Sequence, residues 1–452
     1  MFQEGAQSMS IPSPPPADSL CSLPAARLAE GVRAGRLDVE ELVDAFLQRI
    51  AQTEPGVAAW AWHQAQAVRS QLQGLPRMEP GRALPLLGVP VGVKDIFDTA
   101  DMPTAYGSTI YRGHQPLQDA EAVARLRRAG ALIMGKTVTT EFAYAHPGPT
   151  VNPHNPRHTP GGSSSGSAAA VADFMVPLAL GSQTGGSTIR PAAYCGVVGF
   201  KPSFDAISTQ GMKALSPSMD TVGIMGRCME DIALAYSVLA QGAAPGAPRP
   251  ASTGGLAARL CWYPGPDAAQ ADDDAWRALH GARQMLLDAG VPVGNVALSD
   301  AFGRLSEANR CIMRFEAVRS LDNEFTRHSE GLSAMTAELI AAGRRTDEPQ
   351  YREARALVAG CARELSKALR ETDVLMSFST PGTAPLLATG TGNSVFNRGW
   401  TAMGAPSLTL PFGAGAESGL PLGVQFVAAP GCDALLLALG AQLERLFAAG
   451  PH

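Results

Sequence analysis

The sequence predicts one α/β domain in which a large mixed β-sheet is flanked by helices and carries a helical insertion. Short apolar runs typical of buried strands alternate with helical segments over roughly the first 200 residues. Helical patterns then dominate the region from about 250 to 370. With 452 residues, 45% hydrophobic and 17% charged, the chain has the composition of a folded globular protein with a large core.

The individual elements follow from these patterns. RLDVEELVDAFLQRIAQ has helical apolar spacing, and Asp38 with Glu41 resembles a capping box. DAEAVARLRRAG predicts a second helix with Asp119 as its cap and Gly130 just past its end. The remaining segments are predicted as strands at 84–93, 131–136, 175–182 and 196–203, a helix at 167–174, a long surface loop from Gln241 to Gly255, mostly helical stretches over Asp273–Ala289 and Leu305–Arg370, and a strand, turn and helix over 419–447.

The N-terminal residues and the cysteines indicate in which cell compartment the protein is expected. Residues 1–20, with three prolines at 14–16, predict a flexible tail before a domain spanning 21–452. The N-terminus does not resemble a signal peptide, and we find no apolar run near the roughly 18–20 residues that a membrane span needs. Seven cysteines without a CxxC pair favour a reducing cytoplasm.

Charge and motif searches exclude several classes of function. A net charge of −5 gives no electrostatic reason to expect a nucleic acid or an anionic membrane as partner. Neither Gly-rich stretch, 161–172 or 181–196, ends in the Gly-Lys-Ser/Thr of a P-loop, no HExxH motif is present, and no GxSxG elbow accompanies a histidine. Prolines 153, 156 and 160 prevent the helix that would align His154 with His158 as metal ligands. Nucleotide, metal and Ser-His-Asp chemistry are therefore disfavoured.

A lysine and a serine remain as candidates for nucleophilic chemistry. Lys94 ends a predicted buried strand, where it either turns to solvent or, in an apolar surround, has a lowered pKa and acts as a base. Ser187 follows Gly185 and Gly186, whose backbone forms a simple turn or points several N–H groups at one spot. GGSSSGSAAAVA (161–172) has the composition of a linker, yet it lies mid-chain between apolar runs.

Together these stretches resemble the amidase signature family. GVKD around Lys94, PGGSSSGSAAAVA around Ser163 and GSQTGGSTIRPAAYCGVVGFKPS around Ser187 match its three catalytic segments in order, at spacings of 69 and 24 residues. The likeness continues in DVLMSFSTPGTAP, FNRGWTAMGAPSLTLP and GLPLGVQFV. It covers nearly the whole chain after about residue 20 and is weakest over 250–370. The resemblance implies that 21–452 is an amidase domain with the amidase signature fold.

The resemblance also implies a Ser–cis-Ser–Lys triad. Ser187 would be the acylated nucleophile, Ser163 in a cis peptide would relay the proton, and Lys94 would be the base. The backbone N–H groups of Thr184, Gly185, Gly186 and Ser187 would form the oxyanion hole. No metal or organic cofactor is implied.

Arg190 is the candidate residue for binding the substrate. TGGSTIRPAAYCG resembles the malonamidase-like branch, in which the matching arginine holds the substrate carboxylate; the alternative is an arginine that anchors a local carboxylate or carbonyl. Gln183 departs from the Asp found in many members, and we interpret it as a marker of the branch.

The sequence therefore predicts an amidase that hydrolyses the linear C–N bond of a small, carboxylated amide through an acyl-enzyme. We expect a small-molecule amide substrate, no nucleic-acid or membrane partner, and an assembly compatible with a homodimer. The alternative is the A-type glutaminase subunit of a tRNA-dependent amidotransferase, against which the arginine three residues after Ser187 argues. A non-catalytic scaffold is disfavoured because all three triad residues are present.

Overall fold

One mixed β-sheet runs through the protein and positions every other element. The computed structural model describes residues 13–75, 84–241, 256, 258–369 and 373–449. Within them the sheet has eleven strands in the order β1-β3-β2-β4-β6-β5-β10-β11-β9-β7-β8. The strands are β1 (Trp60–Trp62), β2 (Pro90–Lys94), β3 (Leu132–Thr137), β4 (Leu178–Gln183), β5 (Val198–Lys201), β6 (Thr221–Gly226), β7 (Arg259–Trp262), β8 (Val293–Asn295), β9 (Asp373–Phe378), β10 (Ser407–Ala414) and β11 (Pro421–Ala428).

Helices cover the sheet and confirm the predicted α/β class. They are α1 (Ala25–Arg33), α2 (Val39–Val57), α3 (Ala65–Leu72), α4 (Glu121–Arg128), α5 (Ser165–Ala172), α6 (Ile189–Tyr194), α7 (Met229–Leu239), α8 (Asp273–Asp288), α9 (Leu305–Ser320), α10 (Asp322–Arg327), α11 (Ala334–Arg345), α12 (Glu348–Ala368), α13 (Val395–Ala402) and α14 (Asp433–Ala448). Within the described ranges, none of them is long and apolar enough to cross a membrane.

Alternate residues of the central strands face two different apolar layers. In β4, Leu178 and Leu180 belong to one buried cluster, whereas Ala179 belongs to a second cluster that includes Phe46 of α2 and the alanines of α5. This alternation is the two-residue period of a strand. The sheet is therefore buried on both faces, which explains why its strands are continuous apolar runs.

Parallel pairing brings the ends of two strands to the same edge. β2 pairs with β4 in parallel, with Val93 opposite Leu180. Lys94 at the end of β2 and Ser182 near the end of β4 therefore emerge side by side. Carboxyl ends of neighbouring parallel strands are where α/β sheets present functional groups.

The stretch GGSSSGSAAAVA is buried and ordered. Its second half forms α5, whose residues are all buried but for the last. Gly166 must lack a side chain, because a Cβ there would lie 2.1 Å from the Ala59 carbonyl oxygen and 2.3 Å from the Val138 nitrogen. Although its composition is typical of a flexible linker, this segment ends in a helix that packs closely against its neighbours.

Two local predictions need correction. The strand predicted at 84–93 starts only at Pro90, because Leu84–Leu87 forms a turn closed by hydrogen bonds from Leu87 N to Leu84 O and from Val89 N to Leu86 O. Asp119 does not cap α4, whose N-cap residue is Ala120. Its carboxylate instead accepts from Ala100 N at 2.8 Å and pairs with Arg127 at 3.0 Å.

The region from 250 to 370 is helical, as predicted, but it also extends the sheet. β7 pairs in parallel with β9 and with β8, and α8 packs against β10 and β11. Residues 250–255, 257 and 370 of this region lie outside the described residues, as does the predicted loop from Gln241 to Gly255 apart from Gln241.

The predicted flexible tail, residues 1–20, falls only partly within the structure. Residues 1–12 lie outside the described ranges. From Ser13 onward the chain contacts the domain, since the Ser13 carbonyl accepts a hydrogen bond from Arg49 at 3.0 Å. A short 3₁₀ turn, Leu20–Ser22, then leads into α1.

A buried ion pair joins α2 to the end of α5. Arg49 binds the Asp173 carboxylate at 2.9 Å and the Asp173 carbonyl at 2.8 Å, with both side chains almost completely buried. We expect Arg49→Met to lower the free energy of unfolding by about 3 kcal/mol, because it leaves a buried carboxylate unpaired. Urea unfolding would measure this loss.

Arg69→Met is the matched control. Arg69 also pairs with an aspartate, Asp44 at 2.7 Å, but both side chains are about half exposed. We expect this variant to change the free energy of unfolding by less than about 1 kcal/mol. Equal losses in the two variants would contradict the importance of the buried pair.

Candidate active site

Lys94 is a completely buried lysine whose amine contacts only hydroxyl groups. Its Nζ donates to Ser163 Oγ and to Ser182 Oγ, both at 2.7 Å. Within the described ranges no carboxylate lies within ion-pair distance of Nζ. Burial holds the pKa of Lys94 well below its ordinary value, against a smaller opposing effect of the Asp220 charge. The amine is therefore available as a base.

Ser163 lies directly against this lysine. The peptide bond between Gly162 and Ser163 is cis, the geometry that the family resemblance implies. Ser163 is fully buried, and its carbonyl accepts from Thr140 N at 3.2 Å. Two of the predicted site residues, 69 positions apart in sequence, are thus in direct hydrogen-bond contact.

The loop from Thr184 to Ser187 has its carbonyl groups held by the surrounding protein. Asn309 Nδ2 donates to Thr184 O at 3.0 Å, Thr401 Oγ1 to Gly185 O at 2.7 Å, and Arg190 N to Gly186 O at 3.0 Å. Among the described residues, the N–H groups of Gly185, Gly186 and Ser187 donate to no backbone carbonyl. The loop therefore fixes its oxygens and leaves donors for another ligand.

Gly186 could not be replaced by a residue with a side chain in this loop. A Cβ at this position would lie 2.5 Å from Asn397 Oδ1 and 2.6 Å from Ser394 Cβ. Asn397 lies on α13 and Ser394 directly precedes that helix. The glycine lets α13 pack directly on the loop.

Gln183 supports both ends of the same loop. Its Oε1 accepts from Thr188 N at 2.9 Å and from Ile189 N at 3.0 Å, where α6 begins. Its Nε2 donates to Thr401 Oγ1 at 2.9 Å. An aspartate could supply the acceptor but not the donor, so the glutamine adds a link to α13.

Ser187 is positioned beside Ser163 through the backbone. Its carbonyl accepts from Ser164 N at 3.4 Å, and its side chain is nearly buried. Within the described part of the chain, no hydrogen bond joins the Ser187 hydroxyl to Lys94 or to Ser163. The structure thus brings Lys94 and Ser163 into direct contact and Ser187 into the adjoining loop.

Arg190 is buried and binds oxygens of the chain itself. It donates to Gly162 O at 2.6 Å, Gly392 O at 2.7 Å and Thr391 Oγ1 at 3.3 Å. The first of these carbonyls belongs to the cis peptide before Ser163. These contacts suit an anchoring role, while the buried Nε of Arg190 has no hydrogen-bond partner among the described residues.

Four residues that sequence reasoning missed complete the site. Ser182 shares the Lys94 amine, and the Asp220 carboxylate accepts from Thr184 Oγ1 at 2.5 Å and from two backbone N–H groups. Burial raises the pKa of Asp220 to about 6. Asn309 and Thr401 hold the loop from α9 and α13. Ser182 and Thr401 lie within segments that the sequence singled out, whereas Asp220 and Asn309 do not.

A buried lysine amine, neighbouring serine hydroxyls and backbone N–H groups without a carbonyl partner are the groups that nucleophilic acyl transfer of the Ser–Lys type requires. The Amidase family model matches residues 41–437, and the chain belongs to this family. It is therefore an enzyme that hydrolyses amide C–N bonds, as the sequence predicted.

Comparisons with known proteins identify relatives along the whole chain. The chain is 34% identical to the A-type subunit of glutamyl-tRNA(Gln) amidotransferase from an Anaeromyxobacter species, covering 95% of this chain and 97% of that one. It is 32% identical to the corresponding protein of Acidothermus cellulolyticus, covering 94% of each chain. The crystal structure of peptide amidase from Stenotrophomonas maltophilia is similar, with 28% identity, a TM-score of 0.81 and coverage of 96% and 98%.

These relatives correct two of our predictions. The main functional prediction, an amidase for a small carboxylated amide, is wrong, because near-full-length relatives are A-type subunits of an amidotransferase. The expectation of a small-molecule partner without nucleic acid is wrong for the same reason. The inference that an arginine three residues after Ser187 disfavours the amidotransferase class is therefore wrong as well.

The lowered pKa of Lys94 predicts a pH-dependent stability. The unfolded chain keeps a lysine pKa of about 10.4, so between the lowered folded pKa and that value it binds more protons than the folded protein. The free energy of unfolding of the wild type should therefore rise with pH through this window. Lys94→Met lacks this contribution. The free energy of unfolding of the wild type minus that of Lys94→Met should therefore increase from pH 7 to pH 10.

Urea unfolding at several pH values would measure that difference. Lys367→Met, at an exposed position of α12, is the control and should run parallel to the wild type. Parallel curves for Lys94→Met as well would show that Lys94 is charged in the folded protein.

Proposed function

We propose that this chain is the A-type subunit of a tRNA-dependent amidotransferase and hydrolyses the side-chain amide of glutamine to release ammonia. The observation that carries the proposal is the 2.7 Å contact of the buried Lys94 amine with Ser163 in a chain 32–34% identical to such subunits over nearly its full length. The alignment includes the helical region of 250–370, where the sequence motifs were weakest.

In the proposed mechanism Ser187 is the nucleophile. Its Oγ attacks the amide carbon of glutamine while its proton passes to Ser163 and from there to the neutral Lys94 amine. The direct Lys94–Ser163 hydrogen bond supports the second part of this path. The proton then returns along the same path to the leaving nitrogen, the C–N bond breaks, and ammonia departs. Water hydrolyses the ester on Ser187 to give glutamate and the free enzyme.

The N–H groups of Thr184, Gly185, Gly186 and Ser187 would stabilise the oxyanion of this reaction. Support comes from the loop's carbonyl groups, which are bound by Asn309 on α9, by Thr401 on α13 and by the backbone of Arg190. A loop whose oxygens are fixed in this way needs little rearrangement when negative charge develops on the substrate.

Arg190 has a supporting role in this proposal. Its bonds to Gly162 O and Gly392 O hold the backbone next to Ser163. The likeness of its segment to the malonamidase-like branch is one of motif form, and direct binding of a substrate carboxylate by Arg190 stays a prediction. Because its Nη1 and Nη2 both bind oxygens of the chain, we favour anchoring, although its buried Nε has no hydrogen-bond partner among the described residues.

By the names of its relatives, the proposed complex contains further protein subunits and acts on glutamyl-tRNA(Gln). This chain would supply the ammonia for that tRNA-bound glutamate. A cytoplasmic location is part of the proposal, and it agrees with the free thiols of Cys21, Cys195 and Cys261.

Ammonia release from glutamine tests the proposal. The chain would be tagged in the organism that encodes it, purified with its bound subunits, and assayed with and without glutamyl-tRNA(Gln). We expect glutamine hydrolysis that depends on Ser187, with Ser187→Ala losing at least about 1,000-fold in kcat. Hydrolysis of simple amides by the isolated chain, with none of glutamine in the purified material, would contradict the proposal.

Gln183 provides a second test, directed at the loop. Gln183→Leu removes the acceptor for Thr188 and Ile189 N–H and the donor to Thr401, so the N–H groups of the loop should lose their alignment. We expect kcat to fall about tenfold or more with little change in KM, because these donors act on the transition state.

Gln183→Glu is the matched variant. It retains the acceptor and loses the donor, and its kcat should lie between those of the wild type and Gln183→Leu. A kcat within about twofold of the wild type in Gln183→Leu, with its folding verified by thermal unfolding, would contradict the role of the loop.

A further inference from the structure

A surface cleft is lined by residues from the segment of Ser187, from α13 and from the loop before that helix. Its lining includes Tyr194, Asp272, Gly392, Asn393 and Arg398. The Gly392 carbonyl is bound by Arg190, which also holds the carbonyl before Ser163. On α13, Arg398 lies close to the loop before Ser187, since a Cβ added to Gly185 would lie 3.7 Å from Arg398 Cγ. The cleft therefore lies on the side of that loop that faces α13.

Arg398 is the cation of this cleft, and it lacks a carboxylate partner. Its Nη1 is 3.3 Å from Ser306 Oγ and 3.5 Å from Asn393 Oδ1, both of them neutral groups. Among the described residues, no ion pair includes Arg398. The nearby Glu307 carboxylate is instead bound by Arg310 at 2.7 Å and by Arg314 at 3.2 Å.

The surroundings make this an unfavourable place for an unpaired cation. Arg398 is half-buried, and burial with the neighbouring charges of Arg310 and Arg190 lowers its pKa to about 10. A guanidinium at a partly desolvated site binds a carboxylate strongly, because its planar fork makes two parallel charged hydrogen bonds. Arg190 differs in this respect, because its guanidinium already binds three oxygens of the chain.

We propose that Arg398 is the substrate-binding residue that holds the α-carboxylate of glutamine while the side-chain amide reaches Ser187. This inference rests on the proposed function, which supplies glutamine as the substrate. The lining of the cleft also carries the Asp272 carboxylate, so the cleft presents both signs of charge, as suits a zwitterionic amino acid.

Three amides separate the role of the carboxylate from the rest of binding: glutamine, glutaramate, which is glutamine without its amino group, and pentanamide, which lacks the carboxylate. We expect Arg398→Met to raise KM for glutamine and glutaramate at least about tenfold more than for pentanamide. Arg398→Lys should recover part of this loss, because it restores the charge without the fork.

Arg310→Met is the control for net charge. Arg310 is also close to this region, but its guanidinium is paired with Glu307 and it does not line the cleft. We expect it to change the preference for glutaramate over pentanamide by less than about threefold.

The outcomes separate this inference from the proposed function. If glutamine is not hydrolysed in the purified complex, the proposed function fails, while a preference for glutaramate that Arg398→Met abolishes still supports the carboxylate site. If the wild type hydrolyses glutaramate and pentanamide with equal KM, or if Arg398→Met raises both KM values alike, Arg398 does not bind the carboxylate.

Discussion

The proposed mechanism depends on one constraint: the amine at the end of a buried strand must have a pKa well below its ordinary value. Lys94 meets this requirement because it is surrounded by the sheet and by two hydroxyls rather than by a carboxylate. An adjacent acid would raise the pKa of this amine and oppose the effect of burial. The buried Lys136 shows the contrast, since the same kind of sheet position there carries a lysine paired with Asp95 at 2.9 Å. Burial lowers the pKa of Lys136 as well, but there the Asp95 charge opposes the shift at ion-pair distance.

The helical region is part of the site rather than an addition to it. Asn309 of α9 and Thr401 of α13 bind consecutive carbonyls of the loop before Ser187. Gln183 joins that loop to α13, and Asp220 holds it from the other side through Thr184. A loop of small residues has little intrinsic preference for one conformation. Its order here comes from side chains contributed by distant parts of the chain.

Sequence reasoning succeeded where chemistry and local pattern coincide. The strand that ends at Lys94, the cap at Asp38 and the three motif segments follow from apolar runs, from local hydrogen-bond preferences and from resemblance. It failed at Asp119, which binds Arg127 and Ala100 instead of capping its own helix. It also missed Asp220, Asn309 and Thr401, because their partners lie 36 to 216 residues away in sequence.

Candidate substrate-binding residues also differ between the sequence analysis and the structure. From the sequence, Arg190 stood out as the cation beside the nucleophile, whereas in the fold its donors are used by Gly162 and Gly392. Arg398, 208 positions later in the numbering, is a half-buried arginine that forms no ion pair among the described residues. The sequence by itself determined the fold class, the family and the identity of the lysine and serines, because these depend on local periodicity and on motif. Only the tertiary structure decided which charges are paired and which remain free, because pairing depends on side chains that the fold brings together from distant segments.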